Sequence, residues 1–181
     1  MDRFELTLQE GGESDADEIY RIHTSSIRQV CASHYGAKEI GVWAAKQTRE
    51  TYVPSLKNKE ILVAKEQSGT LVGFIHYIVH NSEKSCEDSD YELQKVQTEI
   101  KGLFVDPSFV RRGIGKLLVE KVVTLATDGG AECLTVSASL NSVAFYKEMG
   151  FREVETKAHQ ITCQCTVNCV CMIMPLGKQD T

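Results

Sequence analysis

The stretch that most constrains the fold is an apolar strand that runs into a glycine-bearing turn and then a long helix. Ile100-Lys101-Gly102-Leu103-Phe104-Val105 closes at Asp106-Pro107, and Val110-Arg111-Arg112-Gly113-Ile114-Gly115-Lys116 follows. Beyond it Ile114, Leu117, Leu118, Val122 and Leu125 recur at helical spacing. The spacing predicts a strand over Gln97–Val105 and a helix over Arg111–Thr127, stopped by Asp128-Gly129-Gly130. A helix start leaves N–H groups without intrahelical partners, and its dipole favours a negative charge. Gly113 and Gly115 let backbone approach a ligand without a Cβ in the way, and Arg111, Arg112 and Lys116 add positive charge. The turn is therefore an anion cradle. A nucleotide P-loop would need glycine at Val110 and a hydroxyl at Leu117, and a dinucleotide fingerprint would need glycine at Leu118; neither is present.

The flanking pattern sets the architecture. Phe4–Leu8 alternates as an edge strand. Ser14-Asp15-Ala16-Asp17 opens a helix whose Ala16, Ile19, Tyr20, Ile27, Val30 and Cys31 share a face. After Gly36 a short helix carries Ile40, Trp43 and Ala44, and a further turn at Thr48–Tyr52 is expected to end near Pro54. Glu60–Lys65 and Leu71–Val79 read as strands, the second interior because it is apolar on both faces. Asn81–Glu92 reads as an acidic surface insertion. Glu132–Ser137 is a strand, Ser142–Met149 a helix, and Phe151–Gln160 and Val167–Pro175 are late strands. The order β-α-α-β-β-β-α-β-α-β-β predicts an α/β fold with a mixed sheet and helices on its faces.

The chain is expected to be one domain over 1–181, since 181 residues suffice for one core. A net charge of −5 disfavours nucleic acid and anionic membrane as partners. No apolar run is long enough to span a bilayer, and the acidic start lacks the pattern of a signal peptide. Seven irregularly spaced cysteines point to a reducing, cytoplasmic compartment, with the nucleus also open. Cys163, Cys165, Cys169 and Cys171 pair at one-residue spacing, closer than a zinc knuckle requires, so small strand side chains are expected and no metal.

The strand–glycine-turn–helix unit resembles the GCN5-related N-acetyltransferase family, whose pattern Gln/Arg-x-x-Gly-x-Gly/Ala aligns with Gly113, Ile114 and Gly115 and departs at Val110. A second block, Leu140-Asn141-Ser142-Val143-Ala144-Phe145-Tyr146-Lys147-Glu148-Met149-Gly150-Phe151, is similar to the family's downstream segment. The resemblance implies a mostly antiparallel twisted sheet with a splayed strand pair, flanked by about four helices. It implies acetyl-CoA as co-substrate, its pyrophosphate on Val110, Arg111, Arg112, Gly113, Ile114, Gly115 and Lys116. Its pantetheine would lie on the backbone of Leu103, Phe104 and Val105, with Asn141 and Ala144 as further contacts. The acceptor would be a small-molecule or peptide amine, and the last strands would pair two copies into a homodimer.

Acyl transfer needs an amine stripped of its proton and a donor for the departing thiolate. An alkyl ammonium holds its proton to about 10, so a base is needed at neutral pH. Glu99 stands 14 residues before Gly113, the offset of the base in histone-acetylating members, and is the candidate base; a solvated strand carboxylate is the alternative. Tyr146 is the candidate acid, with helix packing as the alternative. His23, His34 and Tyr35 are candidate substrate contacts, set against plain packing of the first helices. A non-catalytic acyl-CoA-binding module remains open beside the enzyme.

Overall fold

The computed structural model describes residues 5–80 and 96–177. The acidic insertion read at Asn81–Glu92 and the strand's first residue, Phe4, lie outside the described residues. Among the described residues seven strands form one sheet in the order β1-β2-β3-β4-β5-β7-β6. They are β1 (Leu6–Glu10), β2 (Ile61–Glu66), β3 (Leu71–His80), β4 (Gln97–Val105), β5 (Cys133–Ser139), β6 (Arg152–Thr162) and β7 (Cys165–Pro175). All neighbours run antiparallel except β4 and β5, which are parallel. The mixed, mostly antiparallel sheet is thus as expected. Helices α1 (Ala16–Gln29), α2 (Ala37–Lys46) and α3 (Val53–Lys57) precede β2; α4 (Ile114–Asp128) and α5 (Val143–Glu148) flank β5.

Strand alternation divides the core between two faces. On one face Leu62, Val72, Ile75, Ile100, Leu134 and Val136 pack against Ile114, Leu118, Val119 and Val122 of α4. On the other, Ile61, Val63, Leu71 and Phe74 meet Ala16, Ile19 and Ile22 of α1. Ile161 and Val167 of the β6–β7 hairpin pack with Tyr35, Ile40 and Ala44. The Lys46 ammonium donates to the Ile161 carbonyl at 2.6 Å, tying α2 to that hairpin.

Two local expectations are corrected. In α1 the buried stripe contains Ile22, while Tyr20 is exposed, because the stripe follows positions 16, 19, 22, 26 and 27. The turn expected to end near Pro54 is a 3-10 turn over Arg49–Tyr52, and α3 then starts at Val53 with the proline in its first turn. Proline suits that place because a first-turn N–H has no helical partner to lose.

Candidate active site

The parallel β4–β5 ladder runs from Gln97↔Cys133 to Ile100↔Val136 and stops. Beyond it Leu103, Phe104 and Val105 continue on β3, while Ser137, Ala138 and Ser139 continue on β7. The two strands part, and a cleft of about 660 Å³ opens where they do. Its walls include Leu103–Val105 of β4, Val110, Arg111 and Gly113–Lys116 of the turn, Ser139, Asn141, Ser142 and Ala144 around the start of α5, and Cys31 beyond α1. Strand backbone freed from its ladder has N–H and C=O groups to offer a ligand.

The turn is more open than the sequence suggested. The helix starts at Ile114, not Arg111, and Gly113 is its left-handed cap at φ 80°. A side chain at Gly113 would be strained by that angle alone. Arg111 is also left-handed, at φ 65°. A Cβ on Gly115 would stand 3.4 Å from Phe145 Cζ and 3.6 Å from Leu103 Cδ2, inside the cleft. The Arg112 guanidinium lies over the ring of the cleft-lining Phe109 at 5.0 Å, while Arg112 itself is not among the residues that wall the cleft. Asp106 braces the turn, accepting from Ser108 N at 2.9 Å and from Arg21 of α1 at 2.7 Å. Arg21 had no sequence signal, since it reaches Asp106 only through the packing of α1 across the sheet, and Cys31 was read only as part of the first helix's apolar face.

Asn141 lines the cleft, and its Oδ1 is a buried acceptor without a partner. Such an atom is costly unless a ligand supplies a donor. The Cys31 thiol beside it is pushed up to about 11 by burial, against a smaller opposing effect of Asn141, and so stays protonated. First-turn amides, two glycines and an unpartnered amide oxygen facing one cleft fit a phosphate-bearing, amide-bearing ligand such as acetyl-CoA.

Glu99 lies on the opposite face from α4, since its neighbours Thr98 and Ile100 are buried. Its register partners are Ile78 on β3 and Thr135 on β5. Oε2 lies 2.9 Å from His80 Nε2, and Oε1 accepts from Lys101 Nζ at 3.1 Å. Burial raises the carboxyl, but the two donors outweigh it, and the net shift is below the ordinary value. Between His76↔Gly102 and Tyr77↔Ile100 the register shifts, so Lys101 bulges from β4 where the strand begins to leave β5.

Tyr146 is not in the cleft wall. Its ring is 3% exposed in the α4-side core, edge-on to Phe145 at 5.1 Å and Phe151 at 5.3 Å. Burial raises its phenol well above the ordinary value, while its neighbours Ala144 and Phe145 line the cleft.

The three candidate substrate contacts divide. His23 stacks on Phe104 at 3.8 Å between ring centroids, and its Nδ1 lies 2.7 Å from the Tyr52 hydroxyl. Burial, aided by His76, pushes it down to about 3, so it is neutral. Tyr35 is a strut: its hydroxyl donates to the Asn168 carbonyl at 2.7 Å and accepts from Leu140 N–H at 2.8 Å, which occupies it structurally. His34 is exposed, with Nδ1 2.8 Å from Ser33 Oγ, and does not line the cleft. The late cysteines are free thiols, and Cys165 and Cys169 are buried as small strand side chains.

Residues 18–151 match the model of the Acetyltransferase (GNAT) family. The chain belongs to the GNAT acetyltransferase family. It is 25% identical over 150 residues to the uncharacterised N-acetyltransferase YafP of Escherichia coli (strain K12), covering 83% of this chain and 82% of that one. It is also similar to the GCN5-related N-acetyltransferase structure from Rhodopseudomonas palustris, with a TM-score of 0.75 and 25% identity over 97% of this chain and 98% of that one. The PaiA N-acetyltransferase of Thermoplasma acidophilum, solved in complex with coenzyme A, shares the fold at a TM-score of 0.71 and 20% identity, over 95% and 99% of the chains. In GNAT terms the parted β4 and β5 are the splayed pair, and the glycine turn stands at the mouth of the cleft between them.

Proposed function

We propose that this GNAT enzyme moves an acetyl group from acetyl-CoA to a primary amine by direct attack. The observation that carries the reading is the coincidence in one cleft of the parted β4–β5 pair and the glycine-capped start of α4. The complex of the PaiA relative with coenzyme A supports the donor, which supplies the activated thioester. Amides of Gly113–Lys116 would hold its phosphates, the free β4 backbone at Leu103–Val105 its pantetheine, and Asn141 Oδ1 an amide N–H.

Proton removal from the amine centres on Glu99, on the sheet face opposite α4 and close to the point where β4 parts from β5. Tyr146 would give a proton to the departing thiolate; burial keeps its phenol protonated, and it sits one residue from the cleft-lining Phe145. We also propose a homodimer formed along β6, the outer strand of the sheet, whose Val154 is 62% exposed. Light scattering in solution reads the mass directly, and a strict monomer removes the dimer.

The test of the main reading is thermal unfolding with excess acetyl-CoA, followed by thiol release across a panel of primary amines. A ligand at ~100 times its dissociation constant adds about 2.7 kcal/mol to stability. A shift with amine-dependent thiol release supports the enzyme. A shift without release from any amine favours a sensing module, and no shift removes the donor site.

A further inference from the structure

The cleft passes through the sheet. Ile114, Gly115 and Phe145 wall it on the face that α4 covers, while Ser26, Val30 and Cys31 wall it on the face that α1 covers. Phe104 belongs to the second end: it lines the cleft, and its ring lies on the α1 side of β4 against His23 and Phe74. The cations that line the cleft, Arg111 and Lys116, belong to the glycine turn at the first end. A donor with its phosphates on that turn and its pantetheine along Leu103–Val105 therefore points its acyl group toward α1, on the face that also carries Glu99.

The Phe104 ring is packed on several sides. Its centroid is 3.8 Å from that of His23 and 5.6 Å from that of Phe74. A Cβ at Gly102 would stand 2.8 Å from Phe104 Cε2, so the ring fills the space that any side chain at position 102 would need. His23 is held in turn by the Tyr52 hydroxyl, 2.7 Å from its Nδ1. Across the cleft, Ser26 and Cys31 are buried in the packing of α1 and the turn after it. Rings and helix residues packed at this density do not move aside for an extra methylene without cost.

We propose that Phe104 sets the length of the acyl group this enzyme accepts: its ring, with Ser26, Val30 and Cys31 opposite, closes the cleft around a short, uncharged acyl group. This deepens the acetyltransferase reading and rests on it. The four side chains carry no charge. Burial pushes the Cys31 thiol up to about 11, and burial, aided by His76, pushes His23 behind the ring down to about 3, so both are neutral. A dicarboxylic acyl group would bury its free carboxylate there without a partner, which is costly. A longer aliphatic one would meet the ring. One methylene more or less in an apolar pocket is worth roughly 10- to 200-fold in discrimination.

Titration calorimetry with CoA, acetyl-CoA, butyryl-CoA and succinyl-CoA tests this without an acceptor. Wild type should bind butyryl-CoA and succinyl-CoA at least ~10-fold more weakly than acetyl-CoA. Phe104→Leu should keep its affinity for CoA and bring butyryl-CoA to within ~3-fold of acetyl-CoA, because a smaller side chain opens the end of the pocket. Val30→Phe works in the other direction: it should leave CoA bound and weaken acetyl-CoA against it by about 10-fold, by overfilling the same space. A wild type that binds butyryl-CoA or succinyl-CoA as tightly as acetyl-CoA overturns the proposal. So does a Phe104→Leu protein that binds CoA but keeps the wild-type ratio of butyryl-CoA to acetyl-CoA. Should Phe104→Leu fail to fold, the wild-type ratios and Val30→Phe still decide. A wild type that does not bind even CoA removes the donor site itself, and this proposal with it.

Discussion

The donor cleft and the acceptor-side face meet at the same strand pair but are built from different materials. On the side proposed for the donor the groups on offer are mostly backbone: the open ladder at Leu103–Val105 and the helix start at Gly113–Lys116. On the other face the polar groups are side chains from separate elements, Glu99 and Lys101 on β4, His76 and His80 on β3, with His23 from α1 and Tyr52 from the turn before α3. A backbone site needs little from its residues except glycine where φ or space demands it. A side-chain site depends on strand register, because a slip of one residue turns every side chain to the opposite face. The donor side should therefore answer to glycine substitutions, and the acceptor side to single polar atoms.

The largest contrast should come from Glu99→Gln. Turnover is expected to fall by roughly 100- to 1000-fold, the scale of a lost general base, with acetyl-CoA affinity unchanged. Steady-state kinetics beside a thermal-shift titration separates the two. The mirror experiment is Gly115→Leu, which pushes a side chain toward Phe145 and Leu103. Acetyl-CoA affinity should weaken by about 100-fold by titration calorimetry, while Glu99 and its partners stay in place. A variant that binds the donor as wild type does would break the division of labour.

His23 sharpens the comparison through pH. Its folded-state value is pushed down to about 3, first by burial and then by His76, while an unfolded histidine titrates near ~6.5. Between those values the unfolded chain binds the extra proton, so this stabilisation is complete above ~6.5 and drains away as pH falls toward 3. The loss should reach roughly 2–4 kcal/mol, and His23→Gln should flatten the acid limb of a denaturant-midpoint curve. Equal acid sensitivity in both proteins would falsify the neutral, buried role.

Tyr35→Phe removes a hydroxyl that serves both the Leu140 amide and the Asn168 carbonyl. A stability loss of about 1–3 kcal/mol in urea, with the KM for the acceptor unchanged, is expected of a strut. A selective rise in that KM would return Tyr35 to the substrate. The smallest effect is assigned to Tyr146→Phe: about 10-fold in kcat with stability within ~1 kcal/mol, because the ring keeps its contacts with Phe145 and Phe151. Unchanged kcat would leave Tyr146 as core alone.

The order of elements, the mixed sheet and the glycine turn follow from local pattern: period-two and helical spacing, and glycines at positions where the backbone must turn left or a ligand must come close. What the chain alone hid is long-range. The sequence pointed to Glu99 by its distance from Gly113, but its partner His80 lies 19 residues away and meets it only through the antiparallel register of β3 and β4. Arg112 has the chemistry of an anion ligand, and the structure places its guanidinium over the ring of the cleft-lining Phe109. Tyr35 and His34 are adjacent in sequence, and packing makes one a buried strut and the other a surface ring. The glycine turn proposed to hold an anion is a local object, so sequence determined it. The chemistry beside it is a set of distances between strands, and only the tertiary structure decides those, because register and packing are cooperative properties of the whole sheet.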